Sequence, residues 1–290
     1  MPPLRAEEHQ ASQEAVAALI VPLLRRSWDL LDLSNLPDTL PRFREAVGAV
    51  VNHYGRGAAA VAAQHYTTER HAAGVPGRIA LPPVPDVPEG FIDQLIVEKL
   101  AEAEADVAKA LEGLDAGAEQ LVLDQGRRQM LSAVALDREA KGWARIPNAG
   151  ACSFCLMLAL RAGAGYLYTS KRAANFRAHE NCRCSVEPVF GRFEPTAQVR
   201  DAEKVWADTT KGRSGHDARV AFRQALEGRD VTGAKKVAGK HKTLTKGEGK
   251  TPENQRAQLR ILEAMPPAKT PAAAQWRVDR VAEIHKYLGK

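Results

Sequence analysis

The stretch "ACSFCLMLALRAGAGYLYTSKRAANFRAHENCRC", Ala151 to Cys184, holds every cysteine of the chain: Cys152, Cys155, Cys182 and Cys184. The pattern is Cys-x2-Cys, 23 intervening residues, then His179-x2-Cys-x-Cys. A Cys-x-x-Cys knuckle presents two ligands from one tight turn, and zinc takes four thiolate or imidazole ligands in a tetrahedron at ~2.0 to 2.3 Å. The second half supplies up to three more. Residues two apart on a strand share a face, so Cys182 and Cys184 can both reach one ion. Either the four cysteines, or three of them with His179, complete the set. In the first case His179 stands behind a thiolate as a hydrogen-bond partner. Three other readings stay open: thiols kept reduced as small core residues, disulfides closed on exposure to an oxidising exterior, and a Cys/His catalytic pair with Cys155 near a helix start.

The residues around the cysteines suggest a small α+β unit, and those before and after it suggest helices. In "KGWARIPNAG" Gly142 interrupts the helical spacing, Trp143 and Ile146 favour a strand, and Pro147, Asn148 and Gly150 form a turn into Cys152. "SFCLMLALRAG" reads as a short helix, "YLYTS" as a further strand, and "CRCSVEPVF" alternates so that it can pair with "GWARI". This module covers residues 142–192. Before it, residues 1–74 read as a helical hairpin. Its first half is one apolar run from residue 4 to 33, and its second half, from Arg42 to His71, carries Gly55 and Gly57 as candidate breaks. "GVPGRIALPPVPDVPEG" places five prolines in seventeen residues, so 75–90 is an extended connector. Long amphipathic helices follow over 91–141.

After Phe193 helical patches recur at Ala197–Trp206, His216–Leu226, Glu253–Met265 and Ala272–Leu288, and residues 193–290 read as a partly mobile helical tail. The fold class expected is mainly α, with the zinc-stabilised α+β module between a helical N-terminal region and that tail.

Composition narrows the function. With 44% hydrophobic and 26% charged residues the chain is that of a folded soluble protein. No window approaches the ~18 to 20 apolar residues of a membrane span, and "AVAALIVPLL" follows acidic residues rather than a basic leader. This points to a chain kept in a cytosol, or in a particle assembled there. The net charge of +6 is concentrated between Gly228 and Lys250, where seven basic residues face two acidic ones. That basic linker is first a solvated run. Its Lys235, Lys236, Lys240, Lys242 and Lys246 are also the candidate contacts to nucleic-acid phosphates, without aromatic residues for base stacking. There is no G-x-S-x-G, H-E-x-x-H or phosphate-binding loop. Ser170 and Lys171 are adjacent and read as a surface turn; Ser214, His216 and Asp217 lie too close in sequence for a triad and read as a helix start. No catalytic residue is assigned.

Taken together, "GWARIPNAGACSFCLMLALRAG" and "HENCRCSVEPVF" resemble the MuF-like minor head proteins of tailed bacteriophages, particularly those of actinobacterial phages. The likeness spans about residues 115 to 192. It implies a minor capsid protein of the virion, assembled in the host cytoplasm, with the portal protein and the major capsid protein as partners. It further implies a role in head morphogenesis or DNA ejection. Similar actinophage proteins are often labelled capsid maturation proteases, which makes a capsid maturation protease or another head-associated hydrolase the alternative.

Overall fold

The computed structural model describes residues 3–103, 105–160, 166–169, 176, 178–179, 182–228 and 251–289. The described residues form ten helices and three strands, in the order α1 (Pro3–Ala18), α2 (Val21–Trp28), α3 (Leu36–Ala72), α4 (Glu89–Ala103), α5 (Val107–Leu136), β1 (Gly142–Ile146), α6 (Ser153–Leu160), β2 (Leu167–Tyr168), β3 (Ser185–Val189), α7 (Ala197–Thr210), α8 (Gly215–Leu226), α9 (Pro252–Ala264) and α10 (Pro271–Tyr287). The protein is thus mainly helical. No described helix is long and apolar enough to cross a membrane. The chain divides into two compact units: Met1–Ala15, Ala59–Val84 and Gly126–Gly239 form the first, and Val16–Ala58, Pro85–Gln125 and Lys240–Lys290 the second.

The second unit is all helix. Phe43, Val47 and Val51 recur every fourth residue on α3 and are fully buried, facing a core that includes Ile96 and Leu100 of α4 and Leu114, Ala118 and Val122 of α5. The expected run from residue 4 to 33 is broken between α1 and α2. Pro22 sits in the first turn of α2, where its missing amide hydrogen costs nothing. The expected break at Gly55 and Gly57 is absent, because α3 runs straight through both. At Gly55 a Cβ would lie 2.9 Å from Cγ of Gln125, so this glycine lets another side chain press against the helix backbone.

The C-terminal helices α9 and α10 fall where helical patches were expected, and they close this core with Leu259, Ile261, Leu262 and Ile284. Thr251 and Thr270 cap them, each accepting a backbone amide three residues on, and Pro252 and Pro271 follow the caps. Asp93 of α4, with no exposed surface, binds Arg44 Nε at 2.6 Å and Arg277 Nη2 at 2.7 Å. Glu89 binds Arg44 and accepts the amides of Lys269 and Thr270.

The first unit holds the sheet, ordered β2-β1-β3 and antiparallel throughout. Trp143 pairs with Pro188 and Arg145 with Val186 across β1 and β3. Pro188 fits because β3 is an edge strand, whose outer side needs no amide donor. Every residue of β1 and β3 is buried, so alternation on this sheet separates two packed faces rather than core from solvent. Gly142 opens β1 at φ +146°, and a Cβ there would lie 2.5 Å from the Tyr168 carbonyl oxygen. Tyr66 of α3, fully buried, donates its hydroxyl to Asp137 at 2.9 Å, and Arg70 Nε donates to the same oxygen at 2.8 Å.

Candidate metal centre

The cysteine cluster is assembled from two chain segments. The turn after β1 closes with the Ala151 amide on the Asn148 carbonyl and leads into α6, where the Leu156 amide bonds the Cys152 carbonyl. Cys152 therefore stands just before the helix and Cys155 one turn inside it, which brings both sulfurs to the same end. The second segment contributes a turn joining the Cys182 amide to the His179 carbonyl at 3.0 Å, after which Cys184 leads into β3.

All five expected ligands converge on Cys155. His179 Nε2 lies 3.1 Å from the sulfurs of both Cys152 and Cys155, and the Cys155 and Cys182 sulfurs are 3.6 Å apart. Two triads share Cys155: Cys152, Cys155 and His179 in one, Cys155, Cys182 and Cys184 in the other, with donor atoms within 4.8 Å of each other in each. A tetrahedral site with metal–sulfur bonds of ~2.3 Å has sulfurs ~3.7 Å apart, close to the Cys155–Cys182 separation. The cluster could hold a metal. All four thiols are free of disulfides; Cys152 is exposed and the other three are buried.

Two buried arginines complete the surroundings. Arg127 of α5 donates from Nε to the Cys184 carbonyl at 2.9 Å and from Nη2 to the Cys182 carbonyl at 2.6 Å, fixing the Cys-x-Cys backbone. Arg145 of β1 places Nη1 3.7 Å from the Cys182 sulfur and 3.8 Å from that of Cys155. Phe176 lies against both guanidinium groups, 3.7 Å from Arg145 and 4.7 Å from Arg127, measured to its ring centroid. Hydrogen bonds from Cys155 and Cys184, with the charge of Arg127, pull the Cys182 thiol well below its ordinary pKa despite burial. The contact with Cys182 pushes Cys155 far up, and Cys184 and burial add to that rise. A divalent cation held among these crowded sulfurs would favour the ionised form of each of them.

The geometry also places the other sequence candidates. Ser214 stands at the start of α8, and His216 Nδ1 is 3.7 Å from an Asp217 oxygen on an exposed surface. Ser170 and Lys171 lie outside the described residues, as do Lys235, Lys236, Lys240, Lys242 and Lys246. Arg127, Arg145 and Phe176 did not stand out in the sequence. The one signal for Arg127 is its position four residues after Leu123 and three before Met130, on a buried helical stripe.

A family model described as VG15 protein matches residues 2–209, more than half of the chain and all of the cysteine cluster. The chain belongs to the VG15 protein family. VG15 proteins are a phage-related virion family, which suggests a virion location for this chain. No curated protein and no solved structure matches it. The VG15 match ends within α7, so the closing helices α9 and α10 lie beyond it.

Proposed function

We propose that this VG15 protein is a minor capsid protein that acts in head morphogenesis of the MuF-like type, next to the portal, with the cysteine cluster as a zinc-tied rigid module. The observation that carries the reading is the convergence of five thiol and imidazole ligands, inside the segment matched by a virion family. Zinc suits the donor set, since soft thiolates with imidazole at tetrahedral spacing select it over hard cations. Cys155 and Cys182 would be central ligands, with Cys184, Cys152 and His179 supplying the rest. Arg127 and Arg145 hold and offset the negative charge around them. When bound, zinc supplies structural cross-linking between α6 and the segment entering β3, and metal binding of this kind is folding free energy.

The partners that fit are the portal protein and the major capsid protein of the same phage. The basic stretch 228–250 suits packaged DNA through its phosphates. Two measurements test the reading. Elemental analysis of the tag-free chain is expected to give close to one zinc, lost in Cys155→Ser; metal-free protein with native spectra refutes the zinc part. Cross-linking mass spectrometry of purified particles is expected to join this chain to the portal. Its absence from particles refutes the structural role.

A second reading rests on the exposed Cys152, whose sulfur is 3.1 Å from His179 Nε2, the contact of an activated thiol nucleophile. Co-expression with the major capsid protein and intact-mass analysis decides it. Cleavage abolished by Cys152→Ala would make the protein a maturation protease.

A further inference from the structure

The first unit contains a second cluster of ligand residues, made from elements far apart in sequence. His9 on α1, His65 on α3 and Glu187 on β3 place one donor atom each within 4.8 Å of the others. The two imidazole rings stack face to face, 4.1 Å between centroids and 6° from parallel. His65 Nε2 lies 2.8 Å from the Glu187 carboxylate. His9 and Glu187 are 5% and 3% exposed, so the cluster is internal.

An internal polar cluster is ordinarily a closed hydrogen-bond network, and two features set this one apart. First, His9 is not satisfied by protein. Its Nε2 meets the Gln13 side-chain amide at 3.3 Å, while its Nδ1 is buried with no hydrogen-bond partner. A buried imidazole nitrogen without a partner costs roughly 1 to 3 kcal/mol. As placed, the Gln13 amide nitrogen rather than its oxygen faces Nε2; with the two amide atoms exchanged, the oxygen accepts from Nε2–H and the lone pair is left on Nδ1. That is how a residue behind a ligand orients a metal-binding histidine.

Second, the cluster adjoins a cavity. Glu187 also lines a cavity of about 270 Å³, bounded by Arg5, Glu69 and the segment from Pro188 to Phe193.

We propose that His9, His65 and Glu187 form a second metal site, taking a divalent transition-metal cation of the zinc class through two imidazoles and one carboxylate. Bond lengths of ~2.0 to 2.2 Å put neighbouring ligand atoms ~3.0 to 3.5 Å apart, which the His65–Glu187 pair already approaches. Closing His9 onto them takes a rotation of its ring out of the parallel stack, because each imidazole lone pair lies in its own ring plane. Three protein ligands leave a coordination position for water, unlike a closed four-ligand structural site. The ion would tie α1, α3 and β3 together. It is independent of the cysteine cluster: Cys184 precedes β3 by one residue, and within that strand Glu187 points away from the face shared by Val186 and Arg145.

Cobalt(II) separates the two sites, because thiolate ligands give an intense near-ultraviolet charge-transfer band that nitrogen and oxygen ligands lack. Metal-stripped, tag-free full-length protein, titrated with cobalt, is expected to bind an equivalent without that band. His9→Ala and Glu187→Gln should each lose this equivalent and keep the thiolate band and the helical circular dichroism. If the cysteine cluster binds no metal, the band is missing altogether while the His9-dependent equivalent remains, so failure of the zinc module and failure of this proposal are distinct. The proposal is overturned if the unmodified chain binds only thiolate-type cobalt, or if both variants bind as much sulfur-free cobalt as the parent.

Discussion

Replacing Arg127 by methionine probes the cysteine cluster without touching a ligand. The substitution removes the two donors that Arg127 gives to the carbonyls of Cys182 and Cys184, and its stacking on Phe176. Hydrogen bonds from a charged donor contribute roughly 1.5 to 3 kcal/mol each, so the pair, discounted for shared partners, is worth about 3 to 5 kcal/mol. Methionine fills part of the volume but leaves both carbonyls buried and unpaired, which keeps the loss near the upper end. Urea denaturation of the protein as purified, followed by near-ultraviolet circular dichroism, should therefore show a midpoint shift equivalent to about 3 kcal/mol or more. Zinc affinity, read by competition with a chromophoric chelator, should fall about 10- to 100-fold, as for other residues that orient ligands from behind. Arg127→Lys retains the charge but not the fork, and should fall between parent and methionine variant. A methionine variant within about 1 kcal/mol of the parent and equal in zinc affinity would refute the claim that this guanidinium organises the Cys-x-Cys backbone.

In the second unit, Asp93→Ala leaves Arg44 and Arg277 buried without their shared carboxylate and should cost about 3 to 5 kcal/mol, with amide exchange accelerated in α4 and α10. Glu89 and Asp137 give a pH dependence. Burial raises both pKa values, but amides from Lys269 and Thr270 with Arg44, and the Glu139 amide with Arg70 and Tyr66, outweigh it and leave both below their ordinary values. The unfolded chain then binds protons first on acidification. This contribution is complete above the ordinary carboxylate range and is lost as pH falls through the lowered values, and Glu89→Gln should flatten the melting-temperature profile below pH ~4.5. Gly142→Ala should destabilise by about 2 kcal/mol or more, since the new Cβ meets backbone rather than a movable side chain, and should weaken β1–β2 pairing as seen by cross-strand nuclear Overhauser contacts.

The sequence was most legible where one local pattern decided the outcome. The 3-4 spacing of Ile92, Leu95, Ile96 and Leu100 pointed to a helix from Phe91, although the single run expected to Leu114 is broken between Ala103 and Val107, and "GWARI" and "SVEPV" marked two strands that pair in register. The spacing of the cysteines and His179 brought five residues together across 23 intervening positions. What stayed hidden depends on tertiary placement. His9 and His65 are ordinary residues on polar helices until α1 and α3 bring their rings into contact, and Glu187 reads as the polar position of an alternating strand until both faces prove buried. The closing role of α9 and α10 was not legible, because the lysine-rich run before them reads as a linker and says nothing of where the helices after it pack. Glycines at 55 and 57 looked like breaks because local propensity is silent about a neighbour pressing on the helix.

The ion pairs of Asp93 join residues 49 and 184 positions away along the chain, and this separation governs how the protein can be made. Contacts of such long range form late and slowly. During synthesis the first hundred residues emerge with Leu100, Ile96 and the Asp93 carboxylate lacking the helix that covers them, and they wait until the last helix leaves the ribosome. A nascent or prematurely terminated chain therefore presents a sticky helical surface to chaperones and to other copies. A fragment cut at residue 209, where the family match ends, would carry that surface permanently, and efforts to express the matched part alone should yield aggregate where the full chain yields soluble protein.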